Sequence, residues 1–322
     1  MTEFKNGKYI NPSIQRVAVN WDRKYLPLFE QVKKTWNVPI RNYYKKIMGV
    51  NLQDEETSKR QEIRINLKPI SDLRIIRKIE EVFGDLDFEE FQKLKAFLNA
   101  SENVLEYFET APEHHKNLIE LIDFTKNKLN KFDLDNFNKM LIELLYDGNP
   151  DVFGRYFGSP FSNKGEIDLY IIPCVLFCEA NNLDLSTFVT MVLAHELAHG
   201  YNHLGIDKDN YHWENFWDTD VYLAEGLAQY YTLEFLEKHL LKIPKGIEVF
   251  EFLLSHQSAP YKSFETWEAS PEKIYSAFIE ARRNMIFKND DFLTLLAGAK
   301  KRIKGDRKTI TDNIQDIFHG QN

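Results

Sequence analysis

The segment from Ser186 to Leu204 limits the folds open to this 322-residue chain more than any other. Ser186 can cap a helix that begins there, and Gly205 can end it. The segment is apolar on nearly every side, and such a helix has to be covered by other elements. We therefore expect it in the middle of the core. Its bulky apolar residues are Phe188, Val189, Val192, Leu193 and Leu197.

The same segment contains the sequence H-E-x-x-H, formed by His195, Glu196 and His199. Residues four apart on a helix lie on one face, so both imidazoles can reach a single ion, with zinc–nitrogen bonds of about 2.0–2.1 Å. Glu196 projects beside the metal, where its carboxylate can take a proton from water. Such polar groups are costly on a buried helix unless they are paired or bound to a metal. The motif therefore predicts a Zn²⁺ site.

A catalytic zinc site normally has three protein ligands, and His203 continues the four-residue spacing. Eight residues of helix, however, separate His203 from His195 by about 12 Å along the helix axis. Ligands of one ion lie only about 3–3.5 Å apart. His203 is therefore expected near the site but not on the metal.

Glu225 is the better candidate for the third ligand. It lies 225 − 199 = 26 residues after His199, enough for a loop that returns a second helix against the first. Its neighbours Ala224, Gly226 and Ala228 are small, which permits close helix packing; a carboxylate on a helix surface is the alternative interpretation. Asp218 and Asp220 are interpreted as groups that orient a ligand histidine through its free N–H.

These residues resemble the gluzincin branch of zinc metallopeptidases over about residues 166–231. The resemblance rests on HELAH at 195–199, on E-G-x-A-x-Y at 225–230, and on IDLYIIP ahead of the HELAH helix. It implies that His195, His199 and Glu225 hold zinc, and that an edge strand lines the cleft and pairs with extended substrate. The metzincin pattern is not met, because Asn202 stands where that pattern has glycine. No G-x-M-E-N segment is present, which disfavours an aminopeptidase.

A peptidase of this kind also needs a donor that stabilises the oxyanion. The candidates are His212, Tyr230, Tyr231 and Tyr261, all downstream of the ligand histidines. We favour His212 and Tyr261, because both fall in predicted loops. Glu196 is the expected acid–base residue.

The predicted fold is mainly α (α+β), in three parts. Residues 1–146 form a helical domain of unknown role, residues 147–165 a loop or linker rich in glycine and proline, and residues 166–322 a zincin-like metallopeptidase domain. That last domain has a small mixed sheet, the metal helix and a C-terminal helical subdomain. The predicted helices are 22–36, 38–48, four within 71–144, 186–204, 221–239, 247–254 and 271–286; the predicted strands are 62–67 and 166–172.

Composition excludes several classes of partner. The net charge of −8 disfavours nucleic acid, and the longest apolar run, Tyr170 to Phe177, is too short to span a bilayer. Without a secretory signal, and with Cys174 and Cys178 as the only cysteines, a cytoplasmic location is expected. The expected partner is a peptide or protein substrate, with a regulatory partner for the N-terminal half. The alternative is a regulatory or partner-binding zincin-like protein with little or no hydrolytic activity.

Overall fold

The computed structural model describes residues 12–53, 61–69, 153–158, 163–213, 216–284, 286 and 288–302. These residues are mostly helical, with two small sheets, which confirms the predicted mainly α class. They fall into two compact units. One holds Pro12–Pro27, the chain from Lys68 to residue 69, and Tyr170–Asn182; the other holds the remaining described residues, including the candidate site. The three predicted domain ranges stay a prediction.

The elements are numbered here over the described residues alone. The helices are α1 (Pro12–Ile47), α2 (Ile171–Asn181), α3 (Leu185–Leu204), α4 (Val221–Lys238), α5 (Gly246–His256), α6 (Ala259–Lys262), α7 (Pro271–Arg283) and α8 (Asn289–Arg302). The strands are β1 (Val50–Asn51), β2 (Glu62–Lys68), β3 (Gly154–Gly158), β4 (Lys164–Tyr170) and β5 (Ile206–Asp207), and 3-10 turns occupy Phe216–Asp218 and Ser263–Thr266. The helices predicted within residues 71–144 lie outside the described residues. Among the described helices, none is long and apolar enough to cross a bilayer.

Helix α1 is continuous, although the sequence predicts two helices that break near Val38. Pro39 lies inside it and removes one backbone hydrogen bond, which disfavours a helix interior. The buried residues Phe29, Val32, Ile40 and Tyr44 nevertheless keep helical spacing across the proline. Packing of this face outweighs the lost bond, because tertiary burial supplies most helix stability in proteins.

Helix α3 is buried from Phe188 to Leu204, as its all-round apolar sequence predicts. It begins one residue earlier than expected, because Asp184 rather than Ser186 caps it by accepting a hydrogen bond of 2.7 Å from the Thr187 N–H. Gly205 ends the helix as predicted. The Tyr44 hydroxyl donates to the Ala194 carbonyl at 2.9 Å, so the second half of α1 is tied to the middle of α3.

The three-stranded sheet has the order β2-β4-β3. Strand β3 forms within the stretch predicted as a loop and pairs antiparallel with β4, with Gly154 opposite Leu169 and Gly158 opposite Gly165. The Glu62 N–H bonds to the Asn163 carbonyl at the start of β2, and Asn66 reaches Asp168 further along, so β2 and β4 run in the same direction. The sheet is therefore mixed.

Strand β4 ends at Tyr170, two residues before the predicted end, because the apolar run that follows it forms helix α2 rather than more strand. β4 is also the central strand of its sheet, with β3 at one edge. The resemblance placed the edge strand at β4. This placement is wrong, because β4 lies between β2 and β3, which form the two edges of the described sheet.

Candidate metal centre

Three ligand-capable atoms meet between helices α3 and α4. His195 Nε2 lies 3.1 Å from His199 Nε2, and Glu225 Oε2 lies 3.2 Å from the first and 3.5 Å from the second. The two imidazoles meet because they are one helical turn apart on α3, as the motif predicts. Glu225 reaches them from the second turn of α4. Of the described residues, these are the ones that form a group of three or more side chains able to hold a metal ion.

The three side chains are buried but not sealed, with residue exposures of 9% for His195, 8% for His199 and 7% for Glu225. Burial by itself would raise the pKa of Glu225, but the imidazoles of His199 and His195 outweigh it and hold the pKa well below its ordinary value. Glu225 is therefore an anion beside two imidazoles at neutral pH. The alternative in which Glu225 lies on a helix surface is wrong.

The triangle of donor atoms fits a divalent ion. Two imidazole nitrogens and one carboxylate oxygen form a common catalytic zinc donor set, and bonds of about 2.0–2.1 Å at tetrahedral angles place such atoms about 3.3–3.4 Å apart. The observed edges of 3.1, 3.2 and 3.5 Å bracket that value. Without a cation, two nitrogen lone pairs and a carboxylate converge on one point, where protons can satisfy only part of the contacts. The chemistry and the spacing thus agree.

Gly226, one of the small residues beside Glu225, makes room for a neighbouring turn and not for a second helix as expected. A β-carbon on Gly226 would contact the Ser263 hydroxyl and come within 2.9 Å of the Trp267 ring. The glycine therefore lets the Ser263–Thr266 turn pack tightly on α4, where the Ser263 hydroxyl donates to the Tyr222 carbonyl at 2.5 Å. This contact supports the turn of helix that carries Glu225.

His203 lies apart from the metal group, in agreement with the helical distance argument. Its Nδ1 is 2.8 Å from the Tyr156 hydroxyl, and its ring stacks on Phe216 at 5.3 Å between centroids. Burial, reinforced by nearby His212 and Arg282, lowers the pKa of His203 to about 4. His203 is therefore a neutral, buried imidazole that is hydrogen-bonded to Tyr156.

The two aspartates near the start of α4 have distinct environments. Asp220 is the N-cap of α4, and its Oδ1 accepts a 2.8 Å hydrogen bond from the Tyr222 N–H. This cap explains the residue without any contact to a ligand histidine. Asp218 is exposed in the short 3-10 turn. Their assignment as orienting groups stays a prediction, which the capping bond of Asp220 disfavours.

The candidate oxyanion donors lie in different surroundings. Tyr261 is buried in α6, and its ring lies 5.9 Å from that of His195. His212 is exposed and lies near His203 rather than in the metal group. Tyr231 packs against Tyr44 with ring centroids 6.4 Å apart. Among these residues, only Tyr261 has a described ring contact with a ligand of the metal group.

The sequence gives no prediction of β3, yet this strand borders Glu196. A β-carbon on Gly154 would lie 2.8 Å from Glu196 Cγ, and one on Gly158 would lie 2.7 Å from the His203 ring. Tyr156, between the two glycines, reaches the same helix through His203. The alternation of Gly154, Tyr156 and Gly158 is the signal that could have revealed a strand facing a helix.

Comparisons with protein-family models, curated proteins and solved structures return no significant match to this chain. The geometry of the site therefore carries the functional argument.

Proposed function

We propose that this protein is a zinc-dependent peptidase, with His195, His199 and Glu225 as the metal ligands and Glu196 as the acid–base residue. One observation carries the proposal: two imidazole nitrogens and one carboxylate oxygen converge with edges of 3.1–3.5 Å, and a second buried glutamate, Glu196, follows His195 on the helix of the two histidines. The resemblance to gluzincins stays a prediction.

The number of ligands favours a catalytic over a structural site. Structural zinc sites are closed by four protein ligands, whereas catalytic sites have three and keep a position for water or substrate. In the part of the chain that the structure describes, three candidate ligand residues lie together, and each retains some solvent exposure. When bound, zinc would polarise the scissile carbonyl and make water a stronger acid.

Glu196 would supply the proton transfers. It follows His195 directly on α3, so its carboxylate projects beside the ligand atoms and not onto them. It is 3% exposed, which keeps bulk water away from the carboxylate. In the proposed reaction the carboxylate takes a proton from the attacking water and gives it to the departing amine nitrogen.

Strand β3 supports a peptide as the substrate. It lies at an edge of its sheet and passes along α3 from Phe188, through Glu196, to His203: the Phe153 and Phe188 rings are 4.9 Å apart, and Gly154 approaches Glu196. An edge strand can add an extended peptide through main-chain hydrogen bonds. A peptide held this way would present its backbone beside the proposed metal and Glu196.

Tyr261 is the proposed oxyanion donor. Its ring centroid lies 5.9 Å from that of His195, which is the described ring contact between a candidate donor and a proposed ligand. His212 remains the second candidate. The proposed compartment is the cytoplasm, which agrees with Cys174 and Cys178 as buried cysteines that are not joined in a disulfide.

The test is cleavage of a proteome-derived peptide library by the purified chain, read by mass spectrometry together with metal analysis. We expect cleavage by the wild type and none by Glu196→Gln, which keeps the metal. Glu237→Gln, an exposed glutamate on α4, is the matched control and should cleave like the wild type. Chelation should stop cleavage, and zinc should restore it.

Two results would overturn the proposal. Equal cleavage by the wild type and Glu196→Gln would remove Glu196 from the chemistry. A wild type that binds one metal per chain and cleaves no peptide would favour the alternative, a metal-containing protein that binds a partner without hydrolysis.

A further inference from the structure

The glycines of β3 have no conformational reason to be glycine. Among the described glycines, only Gly49 has a positive φ. Gly154 and Gly158 therefore adopt backbone conformations open to any residue. A glycine inside a strand marks close approach by another group when the backbone does not require it.

The group that approaches Gly154 is the side chain of Glu196. A β-carbon at Gly154 would lie 2.8 Å from Glu196 Cγ and 2.9 Å from Glu196 Oε1. It would also lie 2.9 Å from Val192 Cγ1, one helical turn earlier on α3. Real β-carbons are essentially never this close to other heavy atoms, so the Glu196 side chain rests directly against bare β3 backbone.

The strand is held at this contact by its pairing with β4 and by a hydrogen bond to α3. Gly154 pairs with Leu169 and Gly158 with Gly165 in the β3–β4 ladder, so the strand cannot move outward without breaking ladder bonds. Tyr156 then anchors the strand to α3 through its 2.8 Å hydrogen bond with His203. The β3–β4 ladder and this hydrogen bond thus hold the backbone of Gly154 against α3.

We propose that Gly154 is a positioning residue for Glu196. The absent side chain lets β3 approach α3 closely enough for its backbone to limit the conformers of Glu196 and to direct the carboxylate toward the metal group. The packing between Gly154 and Glu196 is independent of any activity. Its catalytic consequence rests on the proposed peptidase function.

A double-mutant cycle on the full-length protein, as purified, tests the packing without reference to activity. Gly154→Ala should lower the midpoint of thermal unfolding by about 5 °C, because an overpacked methyl group forces its neighbours to shift. In a Glu196→Ala background, the decrease in midpoint caused by Gly154→Ala should be smaller by at least about half, because the Glu196 side chain that the added methyl group would contact is gone. Gly158→Ala is the matched control: its loss, caused by His203 and Trp217, should be the same in both backgrounds.

The Val192→Ala background separates the two neighbours of Gly154. If Gly154→Ala yields no folded protein, recovery in Glu196→Ala supports the proposal, and recovery in Val192→Ala alone overturns it. The proposal is also overturned if the loss caused by Gly154→Ala is equal with and without the Glu196 side chain, or if neither background restores folding.

The positioning role is read from the kinetics on a cleaved peptide. Gly154→Ala should lower kcat more than about tenfold, with KM and metal content near the wild-type values, because a displaced carboxylate impairs only the chemical step. An increase in KM alone would overturn the role. If the wild type cleaves nothing, the peptidase proposal fails, while the unfolding cycle still decides whether Gly154 packs against Glu196.

Discussion

Acidification should destabilise the protein through His203 by an amount that the structure allows to be estimated. Burial, with nearby His212 and Arg282, lowers the pKa of His203 from 6.5 to about 4 in the folded protein. Below about pH 6.5 the unfolded chain binds a proton at this residue and the folded chain does not. The stabilising contribution is therefore complete above that pH and is lost as the pH falls toward 4.

The loss amounts to about 1.4 kcal/mol per pH unit, or about 2 kcal/mol between pH 6.5 and pH 5. The assay is urea unfolding at pH 7, 6 and 5 of the wild type and of His203→Asn. Asparagine can still form a hydrogen bond with Tyr156, as donor or acceptor, but does not titrate. The free energy of unfolding of the variant should fall by about 2 kcal/mol less than that of the wild type over the interval.

His256→Asn is the control for this experiment, because His256 is exposed on α5 and its replacement should leave the wild-type pH dependence intact. If His203→Asn shows the same pH dependence as the wild type, the neutral buried state assigned to His203 is wrong. If the variant becomes more sensitive to acid than the wild type, the sign of the linkage is wrong as well.

Three further predictions concern the helices that carry the site. Arg282→Met should lower the free energy of unfolding by about 2–4 kcal/mol in urea titrations, because this buried guanidinium donates to the Asn202 and Gly205 carbonyls at the end of α3. Arg283→Met is the control. Its side chain is partly exposed and pairs with aspartates, so its loss should cost about 1 kcal/mol or less. Equal losses would contradict the capping role. Tyr44→Phe should cost about 1 kcal/mol, because the Ala194 carbonyl loses its buried donor, and an unchanged value would show that the bond does not matter. Glu225→Ala should leave less than about a tenth of the wild-type metal content after dialysis, and retention of a full equivalent would remove Glu225 from the ligand set.

The arrangement of the metal group was predictable because it follows from short-range geometry. Two histidines four residues apart on a helix must share a face, and the argument from axial rise that separates His203 from the metal depends only on helix dimensions. The placement of Glu225 needed one further inference, that a loop returns α4 to α3. The structure brings all three side chains together.

The parts that escaped prediction depend on contacts distant in sequence. A segment such as Gly154–Gly158 has the composition of a loop, and it forms a strand because β4 pairs with it and α3 covers it. Helix α1 continues through Pro39 because its buried face is packed on both sides of the proline. The edge position of β3 likewise depends on the order of the strands, which no local pattern encodes.

X-ray absorption spectroscopy on the purified protein, with its metal content measured, tests the metal centre most directly. We expect one zinc per chain, with two imidazole nitrogens and one carboxylate oxygen at about 2.0–2.1 Å and one further oxygen from solvent. Sulfur scattering, a third imidazole, or a chain that retains no metal would contradict the assignment of His195, His199 and Glu225 as an open, three-ligand site.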